Sequence, residues 1–319
     1  MRTRGHHQLD AAELLDGLRG RRVGRNVVVL PEVDSTNSYA LDVLLLQHGA
    51  AADGWAIFAE YQTAGRGRLG RSWHSSRGAG LTFTVLLCEA ADSPPGTPPS
   101  AISHQPSAVS RQPSALYPKQ LISPHPSSLI SHPSASAPAR LVMAAAVAVA
   151  AGIEQAADVE PEIRWPNDLY VRGKKLAGIL IETRARLDQS RDREGAVVGL
   201  SAAAIGIGVN CLQHARHFPP ELRGQATSLD LESPHPVDRA GVARAILRQL
   251  DVCLADQTDD ELAAAWRSRS TDIGAYVTLA AHGQTFTGRI IDVQPRTGLL
   301  LQLDTGAPRE FDPATTTRI

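Results

Sequence analysis

The chain of 319 residues lacks several features that would assign it to a class at once. No apolar run approaches the roughly 18 to 20 residues that a membrane-spanning helix needs. The opening MRTRGHHQLD has no apolar core of a signal peptide. We therefore expect a cytoplasmic protein with no membrane partner. Its 43% hydrophobic content is sufficient for one large or two smaller packed cores, which excludes disorder of the whole chain.

Cysteine is scarce. Only Cys88, Cys211 and Cys253 occur, far apart in the chain and without a C-x-x-C pair. An odd number at such spacing predicts neither a disulfide framework nor a cysteine zinc site. We expect three buried thiols.

The chain also lacks an excess of charge of either sign. Its formal net charge is −1, so the sequence gives no sign of the broad basic surface typical of nucleic-acid-binding proteins. The N-terminal piece before residue 27 is too short for the three helices of a helix-turn-helix domain. We expect no nucleic-acid partner.

What the chain does contain is one unusual segment, residues 61–76, with the sequence YQTAGRGRLGRSWHSS. It combines three glycines and three arginines with no acidic residue, and it has neither the alternation of a strand nor the apolar stripe of a helix. Glycines let a ligand approach the main chain, and guanidinium groups donate paired hydrogen bonds to carboxylate or phosphate. We call residues 61–76 the arginine–glycine loop and predict that it binds an anion.

Three other interpretations of this loop are open. Its spacing fits G-x-G-x-x-G, but a dinucleotide-binding turn must open a helix, and here the strand-like GAGLTFTVLL follows. A nucleic-acid-binding arginine patch lacks the wider basic surface. A solvated polar loop would explain the arginines, but not the glycine spacing beside Trp73.

Between residues 90 and 139 the composition changes abruptly. This stretch holds 11 prolines and 12 serines but three charged residues, with imperfect repeats such as SHQPSA and SRQPSA. Proline resists helix and sheet, and the apolar content is too low to offset the ordering entropy. We predict a disordered insertion. Its histidines lack carboxylate or cysteine neighbours that would make a metal site: His104, His125 and His132.

Periodicity and turn residues predict the regular elements elsewhere. The predicted helices cover 9–18 (ended by Gly20), 34–47, 140–157, 237–254 and 261–269. The predicted strands cover 27–30, 55–61 and 81–87, a hairpin within 163–183 that turns at Gly173, one or two strands within 196–210, and short strands after Asp272.

Two polar stretches stand at the beginning of a predicted element, one before a helix and one before a strand. The sequence DSTN, residues 34–37, stands where a helix begins, and such side chains commonly cap helices. Lys174 and Lys175 stand at the start of the strand LAGILIE. We expect Lys174 to be solvated, whereas Lys175 directly precedes a fully apolar stretch and is placed to project into a cleft.

These motifs together resemble those of the biotin protein ligases. The matching pieces, in the order of that family, are DSTN at 34–37, Q-T-x-G-R-G-R-x-G-R-x-W at 62–73, RWPND at 164–168, KKLAGIL at 174–180, GIGVN at 206–210 and ATSL at 226–229. The resemblance covers most of the chain outside the proline- and serine-rich stretch.

The resemblance implies an α+β fold, with a mixed sheet flanked by helices in a class II synthetase-like catalytic domain and a small C-terminal SH3-like β-barrel. The implied division is a short N-terminal extension at 1–26, a catalytic domain at 27–270 that carries the insertion at 90–139, and the C-terminal domain at 271–319. The ending DPATTTRI lacks the Gly-Glu-Val step of the family, so the pairing of the last strand stays open.

The implied activity is a two-step acyl transfer. Biotin reacts with ATP and Mg²⁺ to give biotinyl-5′-AMP and pyrophosphate, and a lysine of a biotin carboxyl carrier domain of acetyl-CoA carboxylase, or of a related carboxylase, then displaces AMP. Mg²⁺ is expected with ATP and not at a fixed protein site. The resemblance implies a monomer or a homodimer.

By motif match, Arg68 and Lys175 would neutralise carboxylate and phosphate oxygens as the catalytic cations. The resemblance assigns the following residues to the biotin and adenylate site: Ser35, Thr36, Asn37, Gln62, Gly65, Arg66, Gly67, Arg68, Trp73, Lys175, Gly178 and Asn210. The chain has no G-x-x-x-x-G-K-[ST] loop, so ATP must be held in another way. Two alternatives stay open: a lipoate or octanoate ligase or transferase of the same superfamily, and a biotin-responsive DNA-binding regulator.

Overall fold

The computed structural model describes residues 8–18, 21–89, 136–185, 201–294, 298–313 and 315–319. These residues form a seven-stranded mixed sheet that packs against helices, and a five-stranded antiparallel sheet near the C-terminus. The predicted α+β class is confirmed.

The larger sheet contains the strands β1 (Asn26–Leu30), β2 (Trp55–Ala59), β3 (Gly80–Glu89), β4 (Glu162–Arg164), β5 (Asp168–Val171), β6 (Lys174–Ala185) and β7 (Ser201–Asn210). Their order in space is β1-β2-β3-β7-β6-β5-β4, and β1 and β2 run parallel while the other pairs are antiparallel. The long strands β3, β7 and β6 therefore lie side by side at the centre.

The α-helices are α1 (Ala11–Leu15), α2 (Thr36–Ser38), α3 (Leu45–His48), α4 (Ser136–Ala157), α5 (Leu229–Glu232), α6 (Arg239–Ala255) and α7 (Asp259–Ser268). A π-helical stretch, Tyr39–Leu44, joins α2 to α3, so the predicted helix from DSTN to about residue 47 is continuous in space but not uniformly α-helical.

Helix α4 packs against α6 at the centre of the core. Alanines let the two backbones approach closely, and a Cβ added to Gly152 would lie 2.7 Å from the Cα of Ile246. By length and composition alone, Ala139–Ala157 could cross a membrane, because it is 19 residues long and mostly apolar, with two charged residues. The sequence alone had predicted no segment long and apolar enough for a membrane-spanning helix. However, 56% of that stretch is buried in the protein.

The first helix is shorter than predicted. Asp10 caps it by accepting hydrogen bonds from the amides of Ala12 and Glu13, and it ends at Leu15. The chain turns at Gly17, which has a φ of 73°, so the stop comes before Gly20, which lies outside the described residues. Leu14 and Leu18 are fully buried in the core.

The predicted insertion at 90–139 falls largely outside the described residues, as do its three histidines. Its last four residues differ from the prediction, because they form the first turn of α4. A proline is tolerated there since the first amides of a helix have no intrahelical partner. Within 196–210, the described part is the single strand β7, which resolves the choice between one strand and two for those residues.

The smaller sheet contains β8 (Tyr276–Ala281), β9 (Gln284–Gln294), β10 (Gly298–Leu303), β11 (Pro308–Phe311) and β12 (Thr316–Arg318), in the spatial order β11-β10-β9-β8-β12. The last strand, whose pairing the sequence left open, runs antiparallel to β8, with Thr316 opposite Ala281.

Asp272 joins the two sheets. Its carboxylate accepts a hydrogen bond from the backbone amide of Trp165, before β5, and another from Arg318 at 2.8 Å, on β12. Burial raises the pKa of this carboxyl, although the Trp165 amide and Arg318 act in the opposite direction. The contact places β12 beside the large sheet.

Candidate active site

A cavity of about 660 Å³ lies where the arginine–glycine loop covers the central strands of the large sheet. Its wall includes eleven of the twelve residues assigned from the sequence: Ser35, Thr36, Asn37, Gln62, Arg66, Gly67, Arg68, Trp73, Lys175, Gly178 and Asn210. The twelfth, Gly65, borders an adjoining cavity of about 350 Å³ that shares Gln62 and Trp73 with the first. Distant motifs are thus brought together.

The DSTN side chains do not cap a helix. Ser35 stands at the N-cap position of α2 without a side-chain capping bond. The amide and hydroxyl of Thr36 both donate to Gln62 Oε1, at 2.8 and 3.1 Å. Asn37 donates to the carbonyl of Leu180 at 3.3 Å and to Glu182 at 2.8 Å. The helix-cap interpretation is wrong, and the segment instead forms a buried polar end of the cavity.

Close packing explains why β7 has a glycine, Gly206, at the polar end of the cavity. A Cβ on Gly206 would lie 2.5 Å from Asn37 Oδ1, so a larger residue would displace that amide. Asn37 is 3% exposed, and its Oδ1 accepts a hydrogen bond from Thr84 on β3. The strand glycine therefore makes room for a fixed polar group.

The arginine–glycine loop folds as a narrow hairpin. The amide of Gly67 donates to the carbonyl of Arg71 at 2.7 Å, and the amide of Trp73 donates to the carbonyl of Gly65 at 2.9 Å. At its tip, Leu69 has a φ of 54° and is 55% exposed. Strand β3 follows the loop, so the dinucleotide-turn interpretation, which requires a helix, is wrong.

The two assigned catalytic cations face the same cavity but differ in their partners. Lys175 Nζ lies 2.7 Å from Asp168 Oδ2. Arg68 makes two long hydrogen bonds of 3.4 Å, to Asn167 Oδ1 and to the carbonyl of Thr316. Burial lowers the pKa of Arg68, and the Asp168 carboxylate opposes this effect. An arginine nevertheless stays charged at neutral pH.

Trp73 packs against the glycines of the central strands. A Cβ on Gly208 would lie 2.5 Å from Trp73 Cε2, and one on Gly178 would lie 3.2 Å from Cζ3. The ammonium of Lys175 is 5.9 Å from the centre of the indole ring, within range of a cation–π contact. The indole Nε1 is buried and has no hydrogen-bond partner among the described residues.

Sequence reasoning missed several residues of this cavity. Asn167 and Asp168 belong to the RWPND motif, and that motif was signal enough to find them. Thr317, Arg318 and Ile319 of the C-terminal sheet also border the cavity, and Arg71 donates to Thr317 Oγ1 at 2.9 Å. No local pattern could have placed these last residues, because the folding of β12 against β8 brings them there.

Among the residues that the structure describes, no group of three or more His, Cys, Asp and Glu side chains could hold a metal ion. The cavity instead combines a buried hydrogen-bonding end with charged side chains farther along. Such an arrangement can bind an elongated ligand that has a neutral polar head and an anionic tail.

Comparison with known proteins agrees with this chemistry. The model of the biotin/lipoate A/B protein ligase family matches residues 29–110 and 124–201. The biotin–[acetyl-CoA-carboxylase] ligase of Mycobacterium tuberculosis is 30% identical over 311 residues, which are 95% of this chain and 93% of that protein. The bifunctional ligase/repressor BirA of Bacillus subtilis is 29% identical over 95% of this chain and 78% of its own length.

Solved structures show the same fold. The biotin protein ligase of Aquifex aeolicus in complex with biotin and ATP superposes with a TM-score of 0.61 at 23% identity, over 92% of this chain and 99% of that chain. A mutant of that protein in complex with biotin gives a TM-score of 0.62 at 22% identity.

Proposed function

The chain belongs to the biotin/lipoate A/B protein ligase family, and from this we propose that it is a biotin–[biotin carboxyl-carrier protein] ligase. It attaches biotin to a lysine of a carrier protein in two steps through biotinyl-5′-AMP. The observation that carries the proposal is the joint placement of Arg68 and Lys175 on a cavity whose other end is lined by the buried side chains of Thr36 and Asn37 and by the half-buried Gln62.

The polar end suits the head group of biotin. A ureido ring is neutral and carries both N–H donors and a carbonyl acceptor. The amides and hydroxyls of Ser35, Thr36 and Gln62, which line the cavity, offer both kinds of partner. The cavity of about 660 Å³ is within the range typical of sites for molecules of this size.

The cations serve the first step. A carboxylate oxygen of biotin attacks the α-phosphorus of ATP, a new C–O–P link forms, and the bond to pyrophosphate breaks. Two anions must approach each other, so catalysis depends on positioning and on charge stabilisation. Lys175 has three donors, so it can keep its contact with Asp168 and still donate to a ligand oxygen.

The second step uses the same adenylate. An uncharged lysine amine of the carrier attacks the acyl carbon, the amide bond forms, AMP leaves with the bonding electrons, and the amine gives up its proton. The names of the related ligases support acetyl-CoA carboxylase, or a similar carboxylase, as the source of the carrier domain.

The arginine–glycine loop is the part of the site that is suited to close over the adenylate. Its glycines, its exposed tip at Leu69 and its position over the cavity support this role. Ordering of such a loop would keep water from the mixed anhydride.

We further propose that Mg²⁺ arrives bound to the phosphates of ATP, as is usual for this ion. Removing Mg²⁺ with a chelator should stop pyrophosphate release, and unchanged release would contradict the proposal.

Three further properties are proposals of the same kind: action in the cytoplasm, function without nucleic acid, and a monomer or a homodimer as the working form. The net charge of −1 supports the second. Cell fractionation, salt-dependent duplex binding and light scattering would test them in turn. Tight duplex binding would instead favour a biotin-responsive regulator.

One experiment tests the central proposal. The purified protein, ATP and Mg²⁺ are incubated with a biotin carrier domain and with biotin, lipoate or octanoate in separate reactions, and the carrier is analysed by mass spectrometry. We expect a mass increase with biotin only when ATP is present. Modification with lipoate or octanoate but not with biotin would show the alternative activity of this family.

A further inference from the structure

Glu182 lies on β6, directly after the apolar stretch 176–181 of that strand. It lies two residues beyond Leu180, which borders the cavity, whereas Glu182 is absent from the described residues that form the cavity wall. Its side chain is 32% exposed. Its carboxylate instead accepts hydrogen bonds from Arg66 and Asn37, which do border the cavity.

The carboxylate of Glu182 joins two pieces of the site that are far apart in the chain. Arg66 of the arginine–glycine loop donates to it through Nη2, at 3.1 Å to Oε1 and 2.9 Å to Oε2. Asn37 at the start of α2 donates to Oε2 at 2.8 Å. One carboxylate thus holds the loop and the helix against β6.

These contacts continue into the polar end of the cavity. Arg66 also donates through Nη1 to Ser38 Oγ at 2.8 Å, so this arginine contacts α2 directly as well as through Glu182. Asn37 in turn accepts from Thr84, whose hydroxyl also lies 2.8 Å from that of Thr36. A shift of Glu182 would be transmitted to the groups that face the ligand head.

The ion pair with Glu182 also distinguishes the role of Arg66 from that of Arg68. Arg66 has its charge offset by Glu182 and is fixed by both of its terminal nitrogens. Arg68 has two long hydrogen bonds and no carboxylate within ion-pair distance among the described residues. Arg68 is therefore the guanidinium that can move to an anionic ligand, while Arg66 holds the loop in place.

We propose that Glu182 is a positioning residue that sets the affinity for biotin by holding Arg66 and Asn37 in the geometry of the binding pocket. The inference rests on the proposed biotin ligase function. It requires that loss of Glu182 weaken biotin binding in the ground state and the transition state alike, because Glu182 touches no reacting atom. Such a loss raises the KM for biotin and leaves kcat nearly unchanged.

The chain offers a matched control. Asp42 accepts from Arg184, so this pair links the same helical segment to the same strand β6. Neither residue borders the cavity among those described. Asp42→Asn therefore removes a surface ion pair between these elements without touching the polar end.

The test compares wild type, Glu182→Gln, Glu182→Ala and Asp42→Asn in carrier labelling at varied biotin and varied ATP, with circular dichroism as a check of folding. We expect a biotin KM about threefold higher for Glu182→Gln and about tenfold higher for Glu182→Ala. Both variants should keep kcat and the KM for ATP within about twofold, and Asp42→Asn should match wild type.

A double-mutant cycle identifies the path of the effect. If Glu182 acts through Arg66, the double variant Arg66→Ala with Glu182→Ala should bind biotin about as weakly as Arg66→Ala alone. Fully additive effects would overturn the part of the proposal that assigns Arg66 to this path. A fall in kcat at constant KM, or an equal effect of Asp42→Asn, would overturn the whole proposal.

Different experimental results would contradict the role of Glu182 and the ligase function. Calorimetric titration with biotin alone reports affinity in each variant without any turnover. Unchanged affinity in Glu182→Ala would overturn the role of Glu182 while leaving labelling by wild type intact. Absence of carrier labelling by wild type, with ATP and Mg²⁺ present, would instead overturn the proposed function.

Discussion

Lys175 and Asp168 form an ion pair of 2.7 Å between the neighbouring strands β6 and β5. Both side chains border the cavity, and the side chain of Lys175 is 33% exposed. The pair fixes the ammonium at the cavity wall, where the proposed mechanism brings the carboxylate and the phosphate together. It also means that removing Lys175 would leave a carboxylate facing an anionic ligand without its partner.

Replacement of Lys175 should therefore slow the first step strongly. In Lys175→Ala we expect pyrophosphate release to fall roughly tenfold to a hundredfold, the range for one charge-assisted hydrogen bond. The neighbouring Lys174 is exposed and does not border the cavity among the described residues, so Lys174→Ala is the matched control and should stay near wild type. Normal pyrophosphate release by a folded Lys175→Ala variant would refute its role.

The contact of Trp73 with the central strands gives a second prediction. Gly208→Ala would place a methyl group 2.5 Å from the indole, a distance at which the ring must move. Overpacking of this kind costs about 1 to 3 kcal/mol. If this cost applies to the geometry of the site, the affinity for biotin should fall roughly fivefold to a hundredfold. Gly178→Ala, with 3.2 Å to the indole, should have a smaller effect. Calorimetric titration measures the biotin affinity of both variants. A larger loss of affinity in Gly178→Ala than in Gly208→Ala would contradict a role of the indole position.

Ligand should protect the arginine–glycine loop from proteolysis. Trypsin can cleave after Arg68 and Arg71 near the exposed tip, and we expect slower cleavage there when biotin and ATP are both bound. Arg172 in the β5–β6 turn has a side chain 79% exposed and provides an internal control site whose cleavage rate should not change. Mass spectrometry identifies each cut. Equal loop cleavage with and without ligands would count against closure of the loop.

The buried ion pair at the end of β2 should dominate local stability. Glu60 Oε2 lies 3.0 Å from Arg239 Nη1, and the residues are 7% and 4% exposed. Glu60→Ala leaves a buried guanidinium without this partner, which typically costs about 3 to 5 kcal/mol. Glu32→Ala removes the exposed partner of Arg77 and should cost less than about 1 kcal/mol. Urea unfolding compares the two, and equal losses would refute the prediction.

The three thiols should make stability fall at alkaline pH. All are free and buried, as expected from the sequence, and burial raises the pKa of Cys88 and Cys253 to about 11 and that of Cys211 to about 12. Above about pH 9 the unfolded thiols lose protons that the folded ones retain. The free energy of unfolding then decreases with rising pH, by at most about 1.4 kcal/mol per pH unit for each thiol.

A cysteine variant checks this pH dependence. Cys211→Ala should flatten the decline between pH 9 and 11, and native protein at pH 8 should react slowly with iodoacetamide. A slope that is unchanged in the variant would assign the decline to other groups.

Much of the fold follows from local patterns. The β5–β6 hairpin was predicted from two apolar runs around Gly173, and the structure shows why: Arg172 and Gly173 have φ values of 49° and 77°, the left-handed geometry of a tight turn. The short strands expected after Asp272 are present as β8 to β12, because alternation and turn residues determine such short elements.

The site was predictable as a set of motifs but not as a set of contacts. Sequence reasoning assigned Arg66 and residues 35–37 to one site, yet it treated Glu182 as part of an apolar strand. The hydrogen bonds from Arg66 and Asn37 to Glu182 join residues more than a hundred positions apart. Such pairs depend on the order of strands in the sheet, which periodicity does not specify.

The ten-residue ladder between β3 and β7 has a consequence for engineering. It joins a strand that ends at Glu89 to one that begins at Ser201, and α4 begins only at Ser136. Two separate polypeptides that meet between Glu89 and Ser136 would each carry one side of this ladder and part of the cavity wall. Their reassembly would then depend on concentration. Fused to two interacting partners, such fragments would form a split reporter that records the encounter as a covalent biotin mark.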